Sequence, residues 1–160
     1  MIDEKWVHAP TFRFLEMDMI QKHIEALLPD GVFLLDVKED FHQGVLKCVI
    51  DAEKPVDLDL TTTISRAINN SGILDELYPN GMALHVSSAG VDTPLKHDYQ
   101  YRKNIGRVIS ITVDRDGKPY STEAQILAVK DDKVLIQRSK VADEWIPILD
   151  IIHAKVLIKF

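Results

Sequence analysis

The pattern of apolar residues changes character at Gly90, and that change limits the chain to two small domains of unlike build. Ahead of it, helix-length stretches alternate with short strand-like runs; behind it come mostly short runs rich in Val and Ile, separated by turn residues. Residues 1–10 carry no periodicity and end at Pro10, so they are expected to form an extended lead-in, with Trp6 packing back on the domain. Phe12, Leu15, Met19, Ile24, Leu27 and Leu28 then recur near helical spacing until Pro29-Asp30-Gly31 stops the run. Two strands follow, over 31–37 and 45–51, joined by a hairpin through Lys38-Glu39-Asp40 and Gly44 whose acidic face suits a sheet edge. Asp57 or Asp59 is placed to cap a second helix reaching Asn69 or Asn70, with Leu60, Ile64, Ala67 and Ile68 as its buried stripe. Beyond Ser71-Gly72 and a polar connection through 79–81, residues 82–88 alternate as a strand. Residues 11–92 thus read α-β-β-α-β, a two-layer sandwich.

Residues 93–160 read differently. Asp98 is placed to cap one short helix that ends before Gly106, and runs at 107–113, 123–130 and 133–138 read as strands with Asp116-Gly117 and Asp131-Asp132 as turns. Further strands are expected at 145–148 and 154–158, with a single helical turn over 149–152. Five short strands in about 55 residues predict a small, strongly curved β-barrel that removes its edges by closing. The fold class is therefore α+β.

Apolar residues make up 46% of the 160-residue chain and charged residues 28%, a balance that supports packed cores and excludes wholesale disorder. No apolar stretch reaches membrane-spanning length, and Met1-Ile2-Asp3-Glu4 opens acidic, so a cytoplasmic protein with no membrane partner is expected. Cys48 is the sole cysteine and closes no internal disulfide. The net charge of −6 argues against a surface that coats nucleic acid throughout. It also conceals a division. Through Asp92 there are seven Lys and Arg against 16 Asp and Glu, a net −9; the remainder has 12 against nine, a net +3. The two ends should prefer partners of opposite charge.

The densest group of candidate functional residues is 85–95. Ser87 and Ser88 near His85 and Asp92 invite a hydrolase reading, but a nucleophile elbow needs Gly two residues before its Ser, and those positions hold His85 and Val86. The serines are better read as satisfying backbone groups at a strand end, with Gly90 permitting a strained turn. No His-x-x-x-His pair, phosphate-binding Gly-x-x-x-x-Gly-Lys or Gly-x-Gly-x-x-Gly occurs, so neither metal nor nucleotide cofactor is expected. Lys96, Arg102, Lys103 and Arg107, interleaved with Tyr99 and Tyr101, form a modest basic stretch; the cations suit RNA phosphates and the two tyrosines suit stacking on unpaired bases. The ordinary alternative is a helix anchored by Tyr101 and Ile105 with solvated cations.

Leu84-His85-Val86-Ser87-Ser88-Ala89-Gly90-Val91-Asp92-Thr93-Pro94-Leu95, followed by an aromatic-rich helix and Asn104-Ile105-Gly106-Arg107, resembles the signature of RimP, the bacterial ribosome maturation factor family, whose usual string is L-E-V-S-S-P-G-x-D-R-P-L. The resemblance runs along nearly the whole chain. It implies a KH-like first domain, an Sm- or SH3-like barrel second, and a cofactor-free, non-enzymatic role in maturing the small (30S) ribosomal subunit. It further implies association with free small subunits and with a basic ribosomal protein near the decoding centre; the mildly basic second half adds ribosomal RNA as an expected contact, and the protein is expected to be monomeric. Carried over by position, Ser87, Ser88, Gly90, Asp92, Pro94, Leu95, Gly106 and Arg107 are expected to shape the junction between domains. His85, Ala89 and Thr93 depart from the string; Thr93 lacks the forked donor an Arg would supply. A general RNA-binding module is the alternative, and it lacks the Gly-x-x-Gly loop by which KH domains clamp a nucleic-acid backbone.

Overall fold

The structure, a computed structural model, describes residues 10–158, with side chains from Arg13 onward. The lead-in expected over 1–10, including Trp6, and the side chain of Phe12 lie outside the described residues, although Pro10 is the first residue of helix α1. The chain separates into two compact units, one ending at Ala89 and the other beginning at Gly90.

The first unit comprises α1 (Pro10–Leu27), β1 (Val32–Asp40), β2 (Val45–Ala52), α2 (Leu58–Asn70), α3 (Ile73–Leu77) and β3 (Ala83–Ser88). Its sheet has the order β1-β2-β3, with β1 antiparallel and β3 parallel to β2. A parallel neighbour demands a crossover, and α2 and α3 supply it. Leu46, Cys48 and Ile50 alternate on one face of the central strand and are fully buried against Ile20 and Ile24 of α1, Ile64 and Ile68 of α2, and Ile73 and Leu74 of α3. Asp57 is the cap of α2: its Oδ1 accepts the Leu60 N–H at 2.8 Å.

Two expectations are corrected here. The buried stripe of α1 is Met17, Ile20, Ile24 and Leu27, a regular i, i+3, i+7, i+10 series; Leu15 and Met19 stand more than half exposed. The polar connection after Gly72 begins instead with helix α3, because Ile73, Leu74 and Leu77 fall on the core side while Asp75 and Glu76 stay exposed.

The second unit comprises α4 (Asp98–Lys103), β4 (Val108–Arg115), β5 (Lys118–Lys130), β6 (Lys133–Gln137), β7 (Glu144–Pro147), a 3-10 turn (Ile148–Asp150) and β8 (Ile151–Val156). The strands form one antiparallel sheet of order β7-β6-β5-β4-β8. Ile109, Ile111, Val113, Ala124, Ile126, Val134, Ile136, Ile146 and Ala154 make a single buried cluster. Every strand contributes to it, so the sheet curls around one core. A shift of register between Ile126 and Ala128 marks the irregularity in β5, the longest strand, which serves both β4 and β6.

The barrel nevertheless does not close as expected: β7 and β8 are both edges and do not pair with each other. β7 has four residues and ends at Pro147, which has no N–H to donate, and the 3-10 turn carries the chain directly into β8. Charge ties the curl instead. Glu144 on β7 accepts from Arg115 Nη2 of β4 through both oxygens, at 2.8 and 2.6 Å, and from Arg138 Nη2 at 2.5 Å. In the strand order β4 lies three places from β7, so this carboxylate spans the mouth of the curl.

Two measurements check this packing. Cys48 is wholly buried, and burial first, with the Asp36 charge second, pushes its thiol up to about 11; Ellman's reagent should label it only after denaturation, and rapid labelling of native protein would contradict the core described. Glu144→Ala should lower unfolding free energy by about 1–3 kcal/mol, read by urea titration of Trp145 fluorescence in a Trp6→Phe background. An unchanged midpoint would mean that the carboxylate does not hold the sheet.

Candidate functional site

The residues singled out around the signature fall into both units. Ser87 and Ser88 end β3, opposite Val49 and Ile50 of β2, and the Ala89 N–H continues that parallel ladder to the Ile50 carbonyl at 2.9 Å. His85 stands exposed on the same strand, opposite Lys47.

In the second unit the Thr93 N–H reaches back to the Gly90 carbonyl at 3.0 Å, closing a four-residue turn. Gly90 itself is not in the left-handed region, and a Cβ there would meet nothing within 4 Å. The strained turn expected at this glycine is therefore absent. Gly106 is the one that needs its freedom: φ is +88°, its N–H donates to the Ile126 carbonyl at 2.8 Å, and its own carbonyl accepts from Gln125 Nε2 at 2.8 Å. Arg107 follows with its carbonyl on the Ile126 N–H at 3.0 Å and its side chain exposed.

Leu95 is buried in the core, and its N–H donates to the Ala154 carbonyl on β8 at 2.8 Å. The hydroxyl of Tyr101, fully buried, donates to the Leu95 carbonyl at 3.1 Å, and burial holds that phenol protonated well above its ordinary range. Leu95, Tyr101, Gly106 and Arg107 thereby fix α4 between β8 and β5. Asp92 forms an exposed ion pair with Lys155 at 2.6 Å, and pairs of that kind contribute little to stability.

His97, not Asp98, is the cap of α4, and Gln100 does the satisfying: its Oε1 accepts the N–H groups of Lys96 at 2.6 Å and His97 at 2.9 Å while only 3% exposed. Tyr99 is 4% exposed and its ring stacks parallel to His97 at 5.9 Å, so the base-stacking role expected of it has no open face to use, nor has that expected of the fully buried Tyr101. Ile105, expected as an anchor, is about half exposed. Lys96, Arg102, Lys103 and Arg107 all reach solvent, with Arg102 paired to Asp98 at 3.2 Å. The stretch is thus a scaffold inside and a band of cations outside. What sequence reasoning missed is a second cation–aromatic group, Arg115, Tyr120 and Arg138, around Glu144. No spacing rule brings residues 29 apart together, and only the curl of the sheet does so.

Among the described residues no group of three or more His, Cys, Asp or Glu is arranged to hold a metal ion, and no helix is long and apolar enough to cross a membrane. The two glycines supply a direct check of the backbone account. Gly106→Ala should cost about 1–2 kcal/mol through its left-handed φ, while Gly90→Ala should leave the urea midpoint unchanged or slightly raised. Equal losses at both positions would overturn the distinction.

No protein-family model matches the chain. Individual proteins do. The ribosome maturation factor RimP of Flavobacterium psychrophilum is 31% identical over 125 residues, covering 74% of this chain and 76% of that protein. The ribosome maturation factor RimP of Christiangramia forsetii is 29% identical over 163 aligned positions, covering 89% of this chain and all of the relative. With three quarters of both sequences aligned above 30% identity, the chain belongs to the RimP family of ribosome maturation factors.

Proposed function

We propose that the protein acts, without catalysing a reaction, in assembly of the small (30S) ribosomal subunit in the cytoplasm, binding a basic ribosomal protein and ribosomal RNA of the immature particle. Family membership carries this reading. The first unit, with helices on one mixed sheet, is read as KH-like, and the curled second sheet as an Sm- or SH3-like barrel left open at one seam. Neither role requires a cofactor.

Charge divides the work. Through Ala89 there are seven Lys and Arg against 15 Asp and Glu, a net −8; from Gly90 onward 12 face ten, a net +2. An acidic body attracts a basic protein and repels phosphates, so the first unit is assigned to the ribosomal protein. The second, with Lys96, Lys103 and Arg107 exposed on and around α4, is assigned to RNA. Ser87, Ser88, Gly90, Asp92 and Pro94 belong in this reading to the passage between the two.

Sucrose-gradient sedimentation of cell extract tests the proposal. The protein should travel with free small subunits and be absent from whole ribosomes; recovery only at the top of the gradient would count decisively against it. A Lys96→Glu, Lys103→Glu, Arg107→Glu variant should dissociate at lower salt, each lost phosphate contact reducing the slope of log affinity against log salt by about 0.7. An unaltered salt profile would remove these cations from the RNA-facing surface.

A further inference from the structure

The group around Glu144 does more than hold the sheet. Two guanidiniums share one carboxylate, leaving one positive charge in excess. Arg115 directs Nη2 to Glu144 and lies with its Cζ 5.3 Å from the centroid of the Tyr120 ring, and Arg138 lies 5.8 Å from the same centroid. Tyr120 keeps 42% of its surface exposed. Hydrogen bonding to Thr122 and Arg138 and the two nearby cations hold its phenol below the ordinary value. Arg138 is unusual among the charged residues: its side chain is only 11% exposed, and its buried Nε has no hydrogen-bond partner among the described residues. That Nε is closed to solvent, so a ligand meets this group through Arg115 and the Tyr120 ring rather than through it.

Arg138 also lines a depression of about 620 Å³, together with Val108, Glu123, Gln125, Gln137 and Lys140. It is shallow and open to solvent, suited to a group that rests on the surface rather than to an enclosed ligand. Lys140 holds φ at +62°, a left-handed conformation that a long side chain seldom adopts. The lining combines an apolar wall at Val108 with two side-chain amides, the chemistry that receives the flat face and the polar edges of a nucleobase. An acidic peptide would use the cations and the amides but would leave the exposed Tyr120 ring without the flat partner that an unpaired base supplies. Glu123 disfavours phosphate inside the depression, so a phosphate belongs on the guanidinium side.

Deepening the RNA half of the proposed function, on which it rests, we infer that this end of the second unit binds an unpaired RNA strand: one base against Tyr120, the phosphate on the spare donors of Arg115, and the neighbouring base in the depression that Arg138 also lines. Arginines held by one carboxylate lose little freedom on binding.

Fluorescence anisotropy of the full-length protein with a labelled single-stranded RNA 12-mer, and with the same sequence as a duplex, tests this. Wild type should favour the single strand. Tyr120→Ala should weaken it about 5- to 100-fold, the range seen when one base loses its aromatic platform, while Tyr120→Phe keeps most of the affinity. Gln137→Ala, on an exposed residue outside the core, should weaken it as well; circular dichroism verifies that each variant is folded. Affinity within twofold of wild type for folded Tyr120→Ala and Gln137→Ala, or no single-strand binding by wild type at low salt, would overturn the inference. The proposed function fails separately: a Tyr120→Ala protein that binds the 12-mer normally and still travels with small subunits sinks only the RNA site, whereas a wild type that does not travel with them sinks the assembly role.

Discussion

A five-stranded sheet that stops short of pairing its own edges must be kept curled by something else, and in the second unit that is one shared apolar core, aided by the three-residue turn that joins β7 to β8 and by the carboxylate of Glu144. The apolar cluster beneath supplies the drive to curl, since burying Ile109, Ile111, Ile126, Val134 and Ile136 in one body requires the strands to wrap. It does not say where the wrapping stops. The direct turn from β7 into β8 does, and Glu144 adds a bridge, its two oxygens reaching Arg115 on β4 and Arg138 beyond β6 at once. The same contacts bring two guanidiniums to 5.3 and 5.8 Å from the centroid of the Tyr120 ring, so a contact that braces the fold also builds its most distinctive surface chemistry.

The first unit solves the opposite problem. Its sheet has only three strands, and α1, α2 and α3 cover the apolar side of β2, the strand that is paired on both edges. Charge accumulates on what remains exposed. Exposed carboxylates stand at Glu53, Asp59, Asp75 and Glu76, while Glu39 at the end of the edge strand β1 is largely buried, accepting from the Tyr78 hydroxyl and pairing with Arg13 at 3.5 Å. An acidic surface of this kind is unsuited to RNA and suited to a basic protein, in keeping with the division of labour proposed for the two units.

Much of this was legible in the sequence because it depends on local chemistry. Turn residues at Asp116-Gly117 and Asp131-Asp132 sit where spacing placed them, and of the two cap candidates, Asp57 and Asp59, it is Asp57 that caps α2. What was not legible depends on neighbours distant in sequence. The face of α1 that is buried is chosen by the sheet it meets, so Ile20 wins over Leu15 and Met19 although all three are apolar. β5 begins at Lys118 rather than 123 because its polar first half pairs with β4, a stabilisation invisible in its own composition. Tyr99 looked like an RNA platform from its basic neighbours, yet it turns inward. Tyr120, between a proline and a serine, gave no comparable signal. The open seam likewise follows from Pro147 and a three-residue turn, details that a count of strands passes over.

Photo-crosslinking from defined positions within the small-subunit complex probes the division of charge most directly. A crosslinking amino acid at Glu53 in the acidic unit should join to a ribosomal protein, and one at Lys118 beside Tyr120 should join to ribosomal RNA. Adducts of the same kind from both positions, or the two kinds exchanged, would contradict the account.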